Sequence, residues 1–197
     1  MLKQRIWMLP ENNTFLRQRT KRAKGIGNQE QQLVEDFFDT WDTVSAYGIA
    51  APQIGSSARA FIWKGHEMEE PEVIFNPKII HTRGEVKDYD GCLSVPGFYC
   101  PTRRAEMIEL TGMVADGKPF RRKYEGFDAR ILQHEIDHLD GVLFIDRIDD
   151  LNDGYTLKEG LPDENGDPTV ENVPADPELK SFIERFRRPV PGHALIW

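Results

Sequence analysis

The run Gln133-His134-Glu135-Ile136-Asp137-His138 constrains this chain more than any other segment. Its two histidines stand four residues apart, just over one helical turn, so on a helix both imidazoles share a face and can bind one metal ion. Glu135, between them, then points close to that ion and can act as a general base for bound water. The segment therefore predicts a helix and directs the functional reading to metal-assisted hydrolysis.

The 197 residues leave room for one ordinary domain with a sizeable core. A net charge of −8 argues against direct DNA or other nucleic-acid binding. No apolar run is long enough to span a bilayer, and Met1 to Pro10 lacks the long apolar stretch of a secretory signal. Arg17, Arg19, Lys21, Arg22 and Lys24 form a basic cluster that reads as solvated surface. Cys92 and Cys100 are the only cysteines, so no disulfide framework is expected and a reducing cytoplasm is the natural setting.

Residues 29–47 read as a helix, with Leu33, Val34, Phe37, Phe38 and Trp41 at core-facing spacing. Strands are expected at Ala58 to Lys64, at Glu72 to Phe75 and at Lys78 to Thr82, with Asn76-Pro77 as punctuation between the last two. Ala105 to Val114, a turn at Asp116-Gly117, and Phe120 to Tyr124 suggest an antiparallel pair, and Phe127 to Leu139 is the helix bearing the metal motif. The fold class is α+β, an antiparallel sheet packed around that central helix. Residues 1–149 are expected to form the domain that carries the catalytic motif. Residues 150–197 are expected to be an acidic loop and a short C-terminal helix docked on the same domain. Asp176 caps that helix, Pro177 opens it, and Leu179, Phe182, Ile183 and Phe186 make its apolar stripe. Asp163-x-Asn165-x-Asp167 hints at a calcium loop, but Pro168 and Pro174 occupy the positions of its glycine and closing glutamate, and the reading is rejected.

A catalytic metal usually takes three protein ligands and keeps one position open. His134 and His138 supply two. The third histidine of one protease pattern, ten positions after the first, is excluded, because Phe144 stands there. Two options remain open from the residues alone: Glu159, downstream in the acidic stretch, and a thiolate from Cys92 in Asp90-Gly91-Cys92-Leu93-Ser94.

Three segments together resemble the peptide deformylase family. They are Gly48-Ile49-Ala50-Ala51-Pro52-Gln53, then Gly91-Cys92-Leu93-Ser94, then Gln133-His134-Glu135-Ile136-Asp137-His138-Leu139-Asp140-Gly141 running on to Leu143-Phe144. Their order and spacing fit the family over about residues 14–147. The resemblance implies a hydrolase of protein biosynthesis that removes formyl from the N-terminal formylmethionine of newly made peptides and releases formate. It implies Cys92, His134 and His138 as metal ligands and Glu135 as the acid–base group. It nominates the Gln53 side-chain amide and the Leu93 backbone N–H as donors to the oxyanion, and Gly48 as a point of close substrate approach. The implied metal is Fe²⁺, with Zn²⁺ or Ni²⁺ able to occupy the site; the donor set by itself suits zinc. Phe127 and Ile131, one turn apart on the helix, and Tyr47 on the facing loop are the expected apolar pocket for the methionine side chain, with Arg130 near its mouth.

Two positions depart from the family pattern. Ala46 stands where a glycine is expected, and Asp90 replaces a glutamate before the cysteine motif. A carboxylate there is expected to pair with Arg104 or Arg103, and its shortening to retune rather than abolish activity. The expected compartment is the bacterial cytoplasm, or a bacterially derived organelle. The ribosome is an expected partner through Phe186-Arg187-Arg188, and no membrane partner is expected. The competing functions are a zinc peptidase that uses Glu159, and a deformylase-like protein that binds formylated peptides without turnover.

Overall fold

The computed structural model describes residues 5–160 and 169–190. In chain order the elements are α1 (Asn13–Leu16), α2 (Asn28–Trp41), β1 (Gly48–Ala50), β2 (Ala60–Trp63), β3 (Glu72–Arg83), β4 (Val86–Cys92), β5 (Val95–Arg104), β6 (Met107–Val114), β7 (Pro119–Glu125), α3 (Gly126–Leu139), β8 (Tyr155–Glu159), β9 (Val170–Pro174) and α4 (Pro177–Phe186). The strands form two antiparallel sheets where one was expected, ordered β1-β2-β3-β6-β7 and β4-β5-β8-β9.

Burial covers α3 on almost every side, since each residue from Ala129 to Leu139 is buried. Ala129, Leu132, Ile136 and Leu139 pack with Phe61, Trp63, Ile74, Ile108 and Leu110 of the five-stranded sheet. Truncating a side chain such as Leu132 there removes buried area and leaves a cavity, a loss of about 2–5 kcal/mol. Gln133 behaves as a piece of backbone: its amide accepts from Ala105 N and donates to Ala105 O, both at 2.9 Å, and so stitches the helix to the β5–β6 corner.

Several boundaries differ from the sequence reading for local reasons. Helix α2 ends at Trp41 rather than near residue 47, and Phe38 lies 40 % exposed instead of in the core. Asn76-Pro77 does not separate two strands. It makes a bulge inside β3, where Asn76 adopts a φ of 51° and its side chain bonds Ala23 N and O at 2.9 and 2.8 Å. Arg17 is not solvated surface: its side chain is buried against Asp146 and donates to Phe186 O at 2.6 Å. Gly141 is required after α3, because its φ is 74° and a Cβ there would strike the Arg17 carbonyl.

The acidic stretch after residue 150 is more ordered than its composition suggests. Strands β8 and β9 pair from Tyr155↔Pro174 to Glu159↔Val170 and extend the second sheet through Tyr99↔Tyr155. Helix α4 is capped as read, with Asp176 accepting from Leu179 N at 2.8 Å. Ile183 is fully buried in a cluster with Phe98 and Phe144, and Leu179, Phe182 and Phe186 pack against it. The rejected calcium-loop residues Asp163, Asn165 and Asp167 lie outside the described residues.

Candidate metal centre and substrate cavity

The β4–β5 hairpin carries Cys92 to its tight end, where Cys92 pairs with Val95 and Leu93-Ser94 make the turn. Helix α3 carries His134 and His138 to the same place. The ligand-capable atoms of Cys92, His134 and His138 all lie within 4.8 Å of one another, the one such cluster found among the described residues. The His138 Nε2 stands 3.2 Å from the Cys92 sulfur. Glu159 is exposed on β8 and belongs to no such cluster, which removes the structural basis of the peptidase reading.

Asp90 has a larger role than sequence reasoning gave it. One oxygen accepts from His134 Nδ1 at 2.9 Å; the other accepts from Arg104 Nη2 at 2.7 Å and from Thr102 at 2.9 Å. A carboxylate on Nδ1 leaves Nε2 of His134 as the ligating nitrogen and makes the imidazole a better base. Arg104 also donates to Asp137 at 2.8 Å, and Asp137 accepts from Arg147 at 2.5 Å. The expected arginine partner is thus Arg104. Arg103 points outward to Asp149 and Glu85. Burial would push the Asp90 carboxyl up, but the Arg104 guanidinium and His134 outweigh it and hold it well below the ordinary range. Burial likewise opposes a charged His134, yet Asp90 and Cys92 raise it well above its usual value. His138, buried beside His134 and Arg104, is pushed well below. With aspartate at this position, the contacts to His134 and Arg104 stand at normal hydrogen-bond length.

Glu135 sits beside this cluster. Burial lifts its carboxyl to about 7, and its Oε2 has no partner among the described residues. Gly48 explains how β1 passes so close, since a Cβ there would collide with the Glu135 carboxylate. Gln53 is buried and held on both ends: Oε1 accepts from Ala50 N at 2.8 Å, while Nε2 donates to Ser94 at 3.2 Å and faces the Cys92 sulfur at 3.6 Å.

A cavity of about 450 Å³ opens onto Cys92, His134 and Glu135. Gln53, Leu93, Gly48, Tyr47, Phe127, Ile131 and Arg130 all line it. Tyr47 and Phe127, both exposed at the rim, meet edge to face at 4.8 Å between centroids. Ile131 is buried at the base of that pair. Arg130 departs from its expected place at the solvated mouth. It is 4 % exposed, and its guanidinium donates to Thr102 Oγ1 at 2.9 Å and to the Val86 and Thr102 carbonyls. Sequence reasoning missed the cavity's other aromatic wall, Phe98, Tyr89 and Tyr99. Phe98 and Tyr99 are consecutive and Tyr89 stands alone in a polar strand, so no periodicity marked them.

The donor set fits a divalent metal on two counts. One thiol and two imidazoles converge, and a buried, unpartnered carboxylate oxygen stands beside them.

Comparison with known proteins agrees with this geometry. The family model for polypeptide deformylase matches residues 4–153. A peptide deformylase from Dehalococcoides mccartyi is 37 % identical over 145 residues, covering 74 % of this chain and 86 % of that protein. Among solved structures, a peptide deformylase from Legionella pneumophila superposes with a TM-score of 0.71 at 32 % identity, covering 93 % of this chain and 92 % of that one. One from Synechococcus elongatus, solved in complex with actinonin, gives 0.74 at 29 % identity, covering 95 % and 92 %.

Proposed function

This chain belongs to the polypeptide deformylase family, and from that premise we infer that it hydrolyses the formyl amide of N-terminal formylmethionine on newly made peptides, releasing formate. The observation that carries the reading to residue level is the convergence of Cys92, His134 and His138 next to the unpartnered oxygen of Glu135. Those three side chains would hold the metal, which when bound supplies Lewis acidity toward water and the formyl oxygen. We assign Fe²⁺ as the working metal, with Zn²⁺ or Ni²⁺ able to take the same mixed sulfur and nitrogen set.

Glu135 is the proton carrier. A carboxyl lifted to about 7 can take a proton from the attacking water and give it to the amine nitrogen at neutral pH. The new C–O bond forms at the formyl carbon, the C–N bond breaks, and the peptide leaves with a free amine. Gln53 Nε2 and the Leu93 N–H are the donors to the oxyanion, and loss of one such donor typically costs about 10²–10³ in rate. Gln53 is preorganised for this, because its carbonyl oxygen is already fixed by Ala50. Gly48 offers main-chain contact to the peptide. Tyr47, Phe127 and Ile131 receive the methionine side chain, and Arg130 braces the wall behind them.

We place the protein in the bacterial cytoplasm, with a bacterially derived organelle as the other setting. Its named relatives include bacterial proteins, and among the described residues no helix is long and apolar enough to cross a membrane. A ribosome contact at Phe186-Arg187-Arg188 would rest on exposed Arg185 and Arg188, because Arg187 is committed to the Ile145 and Ile148 carbonyls. Unchanged ribosome binding after removal of residues 178–197 would sink it.

The deciding experiment measures formate release from formyl-Met-Ala-Ser by protein loaded anaerobically with Fe²⁺. The expected result is turnover that falls by about 10²–10⁴ in Glu135→Ala while metal content is kept. Folded, metal-loaded protein that binds the peptide without releasing formate would overturn the enzymatic reading.

A further inference from the structure

One wall of the cavity is braced by residues beyond the segment that the family model matches, which ends at residue 153. Tyr89 on β4 and Tyr99 on β5 line the cavity with Cys92 and His134. Tyr99 lies directly over Gly91, the neighbour of Cys92; a Cβ at Gly91 would come within 2.5 Å of the Tyr99 ring. The same ring stacks on Tyr155 of β8, with centroids 5.2 Å apart and planes 15° from parallel. Tyr155 also meets Tyr89 edge-on at 5.0 Å and 65°. One ring therefore touches both wall tyrosines.

That ring is itself well held. Tyr155 pairs by its backbone with Tyr99 on one side and Pro174 on the other. Gly154, just before it, lies against Phe98, where a Cβ would be 2.5 Å from the ring, and its carbonyl accepts from Ala175 N at 3.0 Å. The β8–β9 hairpin thus backs the wall at Phe98, Tyr99 and Tyr89 together. Tyr89 is 49 % exposed, and a tyrosine so placed has several staggered rotamers open to it unless a neighbour selects one. Edge and stacked contacts to Tyr155 select one and present a flat apolar face at the cavity's rim.

A peptide whose first amide reacts at Glu135 must leave the cavity past its rim. An aromatic side chain on the next residue can gain ring contacts there, whereas a carboxylate gains none and loses hydration. We propose that Tyr155 is a positioning residue for substrate choice: by holding Tyr99 and Tyr89 it sets a preference for peptides with an aromatic residue directly after formylmethionine. The ligand class rests on the deformylase reading; the residue rests on ring geometry.

The test compares the full chain with Tyr155→Ala and Tyr155→Phe on formyl-Met-Phe-Ser and formyl-Met-Glu-Ser. Selectivity is read twice, as kcat/KM for formate release with Fe²⁺ loaded, and as Kd by calorimetry in a Glu135→Ala background. The parent should favour the phenylalanine peptide. Tyr155→Ala should shrink that ratio by about threefold to tenfold, through KM rather than kcat, and Tyr155→Phe should keep it. If the alanine variant does not fold, Tyr155→Leu replaces it and should shrink the ratio likewise. No preference in the parent, an unchanged ratio in the variant, or an equal fall for both peptides overturns the proposal. Absence of formate release by the parent would instead overturn the deformylase reading, while the Kd ratio still decides the role of Tyr155.

Discussion

Toward the five-stranded sheet, α3 presents Ala129, Leu132, Ile136 and Leu139, and the contact is made of methyl groups and rings. Toward β4 and β5 it presents His134, Asp137 and His138, and the contact is made of Asp90, Arg104 and a thiol. The first seam is non-directional and tolerates small shifts. The second is built from charge-assisted hydrogen bonds whose geometry is narrow. Cys92, His134 and His138 converge on the second seam, so the same bonds which join sheet to helix also orient these metal-capable side chains.

That contrast can be broken first at Arg104. Arg104→Ala leaves Asp90 and Asp137 buried without their shared partner, and stability should fall by about 3–5 kcal/mol. Leu132→Ala on the apolar seam should cost a comparable 2–5 kcal/mol, roughly, by leaving a cavity. Urea titration at two pH values separates them. Asp90 has a depressed pKa, so its contribution is complete above the unfolded carboxylate value of 3.8 and is lost as pH falls through its lower folded value. The gap between parent and Arg104→Ala should therefore close in strong acid, and that of Leu132→Ala should not. Equal behaviour of the two variants would erase the distinction.

Asp90→Asn sharpens the comparison at the metal. The amide can still accept from His134, but the negative charge that makes the imidazole more basic is gone. Metal affinity should drop by about 10–100-fold in a competition with chelator, and the apolar seam should leave it unchanged in Leu132→Ala protein that is still folded. The smallest effect is expected at Arg103, one residue before Arg104. Its pairs with Asp149 and Glu85 are exposed, and Arg103→Ala should leave the melting temperature and metal affinity unmoved. A large loss there would mean that the charge network reaches the surface.

The two seams were also unequally legible. Strands β2 and β6 follow from their buried apolar residues, β7 from Phe120 and Tyr124 packed against the core, and helix α3 from its sheet-facing stripe of Ala129, Leu132, Ile136 and Leu139. Strand β4 does not, since Val86-Lys87-Asp88-Tyr89-Asp90 is exposed at four of five positions and its one buried side chain is an aspartate. Strands β8 and β9 were hidden for the same reason, each being mostly exposed in an acidic stretch. The clustered residues His134 and His138, with Glu135 between them, stand out by motif spacing, but the Asp90–His134 bond spans 44 residues and leaves no local pattern. Arg130 lines the cavity near whose mouth it was expected, but only the fold shows the Thr102 and Val86 groups that satisfy its buried guanidinium.

Arg17 joins the two ends of the chain. Its guanidinium grips Asp146 and donates to the Phe186 carbonyl, a partner 169 positions away. During synthesis the amino-terminal segment emerges first; Asp146 then becomes available to Arg17, and the second half of the clasp, at Phe186, closes only when helix α4 has been made. Contacts of such long sequence separation form late and slowly. An enzyme that trims the beginnings of other nascent chains thus completes the last tie on its own early segment, the one to Phe186, only after α4 has been made.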